Sequence, residues 1–229
     1  IEMSHKFKAK HLLIASSSSV YGANIKMPYK ENDNASSQLS IYAATKLATE
    51  SIAHSYSNIW KTPITMLRFF TVYGPWGRPD MALFKFTKAI IEEKTMDVYN
   101  NGNMYRDFTY IDDIVKSISL LIKVIPNNNK KIKLKKIDSI SSVAPFRVVN
   151  IGNSKKIKLL DFIKEIENVL GKKAICNYMP LQKGDVPKTL SNTNLLRKLT
   201  KTKPKINYKE GVRKFVEWYL EYYKVKFYK

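Results

Sequence analysis

The chain's hydrophobic pattern starts with a short apolar run, His11-Leu-Leu-Ile-Ala15, that stops abruptly in four hydroxyl residues, Ser16 to Ser19. A run of that length bounded by polar residues predicts a buried strand with a polar end. Helical periodicity follows from Tyr42 to Trp60, and a second apolar run from Ile64 to Val72 predicts another strand. Strand, loop, helix and strand make a βαβ unit, whose chemistry lies beyond the carboxyl ends of its strands. Ser16 to Ser19, Tyr42 and Thr71 all fall at those ends.

Beyond about residue 80 the pattern becomes mixed. Amphipathic helices are predicted at 82–93, at 112–125 with acidic residues Asp112 and Asp113 capping its start, at 158–170 with Gly171 as its stop, and at 210–223. Short strands are predicted at 96–99, 147–151 and 174–179. The stretch from Pro126 to Pro145 is Asn-rich and then Lys-rich, so an exposed loop insertion is expected there. The expected organisation is a partial Rossmann-type unit over 1–80 and a smaller, mixed α/β, mainly substrate-binding region over 81–229.

Composition narrows the classes. With 229 residues and 44% hydrophobic content the chain can bury a core. No apolar run approaches a membrane span and the first residues lack a signal-peptide pattern, so no membrane partner and a cytoplasmic location are expected. The single cysteine, Cys176, allows no internal disulfide and reads as a packing residue, and His5, His11 and His54 have no metal-ligand spacing. A net charge of +21 raises the question of nucleic acid, yet Arg occurs only at 68, 78, 106, 147, 197 and 213, leaving 34 of the 40 basic residues as dispersed Lys. Specific nucleic-acid recognition would favour Arg, so none is expected, although the field still attracts anionic ligands.

Candidate chemistry centres on Tyr42 and Lys46. Four residues apart on a helix they share a face, which lets an ammonium stand beside the phenol and favour its anion. The eight glycines include no Gly-rich strand-to-helix turn for a pyrophosphate.

Longer motifs carry a resemblance. Ser16-Ser-Ser-Ser-Val-Tyr-Gly22, Ser40-Ile-Tyr-Ala-Ala-Thr-Lys46, Leu67-Arg-Phe-Phe-Thr-Val-Tyr-Gly-Pro-Trp-Gly-Arg-Pro-Asp-Met81, Tyr99-Asn-Asn-Gly102, Arg106-Asp-Phe-Thr-Tyr-Ile-Asp-Asp113, Val149-Asn-Ile-Gly-Asn153 and Gly184-Asp-Val-Pro187 stand in order along the chain. Together they resemble the NAD-dependent epimerase/dehydratase branch of the extended short-chain dehydrogenase/reductase superfamily, and within it the UDP-glucuronate 4-epimerases. The resemblance implies the carboxyl-terminal half of a Rossmann-type parallel sheet, NAD as cofactor, a UDP-sugar substrate and a homodimer. It implies Tyr42 as the base at the sugar 4-hydroxyl, Lys46 on the nicotinamide ribose, and Ser17 bridging the tyrosine and the substrate oxygen. Ser16 joins Tyr42 and Lys46 on the cofactor side.

On the substrate side it implies Ser18 and Ser19 at the sugar, Thr71 and Arg78 at a sugar carboxylate, Arg106 at the diphosphate, Val98 and Tyr99 at the uracil, and Asp185 near the nucleotide ribose. Ser18 and Ser19 stand where 4,6-dehydratases carry an Asp-Glu pair, and Ser19 where decarboxylases carry Glu, which leaves epimerisation. Gln182 and Lys183 stand where some relatives have Arg. Family members open with a Gly-rich half of the sheet, which is expected to precede Ile1. A non-catalytic module binding a nucleotide sugar or polyanion, and another UDP-sugar epimerase, stay open as alternatives.

Overall fold

In the computed structural model, which describes residues 1–127 and 137–225, the first sheet is built from three parallel strands in the order β1-β2-β6. These are β1 (Leu12–Ser17), β2 (Ile64–Phe69) and β6 (Phe146–Ile151). The central strand β2 and the strand β6 are buried along nearly their whole length, as continuous apolar parallel strands are. Strand β1 forms an edge, with Leu12, Leu13 and Ile14 half-buried. The long helix α2 (Ile41–Trp60) returns the chain from β1 to β2. Ser40 caps its start by accepting from the Ala43 N–H at 3.2 Å, and Lys61 in the left-handed conformation ends it just before Pro63.

The second region holds β3 (Thr71–Tyr73), α3 (Ala82–Ile91), β4 (Thr95–Tyr99), β5 (Tyr105–Tyr110), α4 (Ile111–Leu121), β7 (Lys156–Lys158), α5 (Leu159–Leu170), β8 (Ile175–Met179), α6 (Asn194–Thr200) and α7 (Tyr208–Tyr222); a short helix α1 (Glu2–Lys6) precedes β1. Strand β5 pairs in parallel with β3 and antiparallel with β7, and β4 pairs in parallel with β8. An aromatic-rich core joins them, with Tyr73, Phe108 and Phe162 in mutual contact and Phe84 against Phe215 and Tyr219. A smaller cluster, Leu67, Ile114, Leu121, Val149, Leu195 and Leu196, packs α4 and α6 against the first sheet. The two regions therefore interleave along the sequence, because β6 returns from beyond residue 80 to the first sheet.

Four expectations change. The run 64–72 is not one strand: Phe70 still donates its N–H to the Ile151 carbonyl at 3.0 Å, and Thr71 then passes into the second sheet against Phe108. Helix α4 ends at Leu121, and the acidic pair does not cap it. Asp113 is instead buried, accepting the N–H groups of Lys205 and Ile206, each at 2.9 Å, and so pins the chain entering α7. The expected loop at 126–145 falls partly outside the described residues, but its second part is not simply exposed. Asp138 there is buried in a two-point ion pair with Arg147, and Ala144 is buried in the core. Helix α6, which buries Leu195 and Leu196, was not anticipated.

Candidate active site

The carboxyl end of β1 turns at once into a single 3₁₀ turn over Ser18–Tyr21. Ser17 caps it: its Oγ accepts from the Ser19 N–H and donates to the Ser19 Oγ, both at 3.1 Å. Gly22 closes the turn with φ 51°, and a Cβ there would strike the Ser37 carbonyl, so glycine is needed. The turn lifts Ser18 and Ser19 toward the first turns of α2.

Tyr42 stands on that helix, about half exposed, and Lys46 one turn later places its Nζ 5.9 Å from the Tyr42 ring centroid. The ammonium also donates to the Ala15 carbonyl at 3.2 Å, tying helix to strand end. Two of its three N–H donors remain for a ligand. A cavity of about 760 Å³ opens in front of these groups and is lined by Ser16 to Ser19, Tyr42, Lys46, Thr71 and Arg78. The loop Gly74 to Met81 forms its far wall, with Phe69, Phe84 and Phe215 supplying apolar surface. Hydroxyls, a phenol and a cation converging on a partly apolar cavity suit an oxygen-rich ligand and proton transfer shielded from water.

Not every predicted residue contributes a side chain to this cavity. The Ser16 hydroxyl is buried and donates to Oε1 of Glu50 at 2.5 Å, so it faces the helix and the rest of Ser16 lines the cavity. Val98 is fully buried in the core, backbone included, and presents no surface to a ligand, while Tyr99 ends β4 half-buried. Arg106 and Asp185 lie apart from the cavity but together. Arg106 Nη2 donates to Asp185 Oδ1 at 2.8 Å, and burial lowers the guanidinium pKa although Asp185 opposes that. The neighbouring Asp107 does not pair with Arg106. Asp107 is wholly buried and accepts from the Ser191 N–H and hydroxyl and from the N–H groups of Asn153 and Ser154. Burial raises its pKa against those bonds.

Sequence reasoning missed a polar network directly beneath the cavity. Arg68, on β2, donates through Nε and Nη2 to the two Glu50 oxygens at 2.9 and 2.7 Å and through Nη1 to the Glu31 carbonyl at 3.1 Å. Burial opposes its charge, and the Glu50 and Tyr21 contacts together outweigh it, so its pKa is raised. The guanidinium also lies 4.8 Å over the Tyr21 ring, whose hydroxyl donates to Asn150 Oδ1 at 2.7 Å; burial pushes the Tyr21 phenol up to about 12. The Asn150 N–H donates to Glu31 at 3.0 Å, and burial pushes the Glu31 carboxyl up to about 7. The available signal was an Arg inside an apolar strand run and a Glu eight residues after Tyr42, on the face that Tyr42 and Lys46 share.

A parallel α/β sheet with a Ser, a Tyr and a Lys gathered at its carboxyl edge defines a Rossmann-type protein of the short-chain dehydrogenase kind. The NAD dependent epimerase/dehydratase family matches over residues 1–134, and the chain belongs to that family. It is 54% identical over 224 residues to Protein CapI of Staphylococcus aureus, covering 98% of this chain and 67% of that protein. It is 48% identical to a probable UDP-glucuronate 4-epimerase of Rhizobium meliloti, covering 98% of this chain and 66% of the relative. Among solved structures, UDP-glucuronic acid 4-epimerase from Bacillus cereus, in complex with UDP-glucuronic acid and NAD, superposes with a TM-score of 0.83 at 29% identity, covering 97% of this chain and 65% of that one. The chain thus spans about two thirds of the length of these relatives.

Proposed function

We propose that this chain forms the catalytic and substrate-binding part of an NAD-dependent UDP-sugar 4-epimerase that interconverts UDP-glucuronate and UDP-galacturonate. The observation that carries the reading is one cavity lined by Ser17, Tyr42 and Lys46 together with Thr71 and Arg78. The first group suits proton transfer at a sugar hydroxyl and the second suits a carboxylate, which a guanidinium holds with two parallel bonds.

The residues present fit one end of NAD. Lys46, with two donors left after its bond to Ala15, and Tyr42 suit the nicotinamide ribose, whereas none of the eight glycines forms a pyrophosphate turn. When bound, NAD⁺ supplies reversible hydride acceptance at the sugar C4. In this reading Tyr42 takes the 4-hydroxyl proton and later returns it, while Ser17 bridges the phenol and that oxygen. Ser18 and Ser19 orient the sugar, and Thr71 and Arg78 hold its carboxylate. Arg106 grips the diphosphate, Asp185 stands near the ribose, and Tyr99 borders the uracil with Val98 packed in the core beneath it. Residues 1–80 carry the catalytic Ser17, Tyr42 and Lys46 and the sugar contacts, 81–229 carry the nucleotide contacts, and the working unit is a homodimer.

The test fuses a relative's Gly-rich half ahead of Ile1 and assays interconversion of UDP-glucuronate and UDP-galacturonate with NAD⁺. Turnover that Tyr42→Phe removes is the expected result. A folded fusion that binds NAD⁺ and UDP-sugar yet interconverts neither would overturn the proposal.

A further inference from the structure

Arg78 and Asp80 occupy the loop that walls the cavity, and their side chains meet at two points. Nε of Arg78 donates to Oδ1 of Asp80 at 3.1 Å, and Nη2 donates to Oδ2 at 2.8 Å. This is the fork geometry with which a guanidinium takes any carboxylate. Arg78 lines the cavity and Asp80 does not. An internal carboxylate therefore already fills the cation at the cavity mouth.

The pair is built to open. Its side chains are 74% and 62% exposed, and an exposed ion pair contributes little net stability. The Arg78 guanidinium holds the Asp80 carboxyl below the usual carboxylate range, so Asp80 is ionised wherever an acidic sugar would be. Lys85, exposed on the first turns of α3, also favours the Asp80 anion and offers it a second cation once Arg78 turns away. Exchanging one carboxylate for another on Arg78 keeps the count of charge-assisted hydrogen bonds, whereas a neutral sugar has nothing to exchange.

We propose that Asp80 is an internal competitor for Arg78, occupying the guanidinium until the carboxylate of an acidic nucleotide sugar displaces it, and thereby sets the preference between acidic and neutral sugars. This rests on the reading that Arg78 meets the sugar carboxylate. Asp80 does not line the cavity and acts only through Arg78, so it is a positioning residue. Removing its charge should tighten the acidic ligand selectively. The long-range effect of losing one negative charge acts on every nucleotide diphosphate, so the ratio of two affinities isolates the competition.

Titrations of UDP-glucuronate and UDP-glucose are made onto the protein carrying a Gly-rich dinucleotide-binding half and saturated with NAD⁺. Asp80→Asn should improve the Kd for UDP-glucuronate by about two- to fivefold relative to that for UDP-glucose, the range open to an exposed pair. The gain should shrink at high salt and vanish in an Arg78→Ala background. Asp80→Glu, which keeps the charge, should restore the original ratio. If Arg78→Ala weakens UDP-glucuronate selectively but Asp80→Asn leaves the ratio unchanged or moves it toward UDP-glucose, the competitor role is wrong and Asp80 merely orients Arg78. If Arg78→Ala weakens both ligands equally, the carboxylate reading fails and the inference falls with it.

Discussion

Replacing Glu50 by Leu removes the acceptor around which the strand end and the long helix are joined. Arg68, with a side chain only 6% exposed, would lose two charge-assisted hydrogen bonds at 2.9 and 2.7 Å, and Ser16 would lose its 2.5 Å acceptor. Only the Glu31 carbonyl and the face of Tyr21 would remain to the guanidinium. Removing one partner of a buried pair leaves an uncompensated charge and costs about 3–5 kcal/mol, a fifth or more of a typical domain's stability of about 5–15 kcal/mol. In urea, with a slope of about 2 kcal/mol/M, the unfolding midpoint should fall by roughly 2 M. Arg68→Met with Glu50→Leu removes both charges together and should recover most of that loss, since an apolar pair of similar volume is often neutral or better. A single-variant loss under about 1 kcal/mol, or a double variant whose loss equals the sum of the two singles, would refute the assignment of this pair as a coupled, buried unit.

The remaining predictions concern the same surroundings. Tyr42→Phe should lower turnover by at least about 10²-fold, the contribution expected of a positioned base, while titration shows UDP-sugar binding nearly unchanged. Glu31 has a folded-state pKa of about 7, raised from 4.5 chiefly by burial, with Asp138 raising it further and Arg68 opposing. The folded state therefore holds the extra proton between those values, so this contribution is complete below the unfolded pKa and is lost as pH rises through about 7, at a cost of about 3 kcal/mol. Glu31→Gln should abolish that slope, and melts of both proteins from pH 4.5 to 8 check it. Gly211→Ala would drive a methyl group into the Tyr73 hydroxyl and ring, costing about 1–3 kcal/mol by overpacking. Tyr73→Phe in the same chain should return part of it, as read by urea unfolding.

Local signals in the sequence were enough for the elements that frame the site. The apolar run ending in Ser16 to Ser19, the helical periodicity from Tyr42 and the Gly171 stop each act within a few residues, and β1, α2 and α5 appear within a residue or two of expectation. What acts across the chain was not legible. Periodicity reads 64–72 as one strand because both sheets want apolar residues there, and only the pairing of Thr71 with Phe108 separates the two halves. Adjacent carboxylates at a helix start look like caps, yet Asp113 answers to backbone donors 92 and 93 residues away. The partner of Arg106 is likewise 79 residues distant, beyond the reach of any local pattern.

The same distinction explains how a weak spacing becomes a site. Tyr42, Lys46 and Glu50 recur every four residues on α2, and each meets β1 or the space beyond it differently. Tyr42 faces the cavity, Lys46 holds the Ala15 carbonyl, and Glu50 holds the Ser16 hydroxyl and, through Arg68, the next strand. Two consecutive residues of the strand end are thus fixed to two consecutive turns of the helix, which leaves Ser17, the next residue, little freedom relative to Tyr42. A Ser16 hydroxyl spent on Glu50 is then a positioning contact for the hydroxyl beside it. Loosening Glu50 should accordingly lower turnover more than it weakens UDP-sugar binding, because the alignment of Ser17 with Tyr42 matters most at the moment of proton transfer.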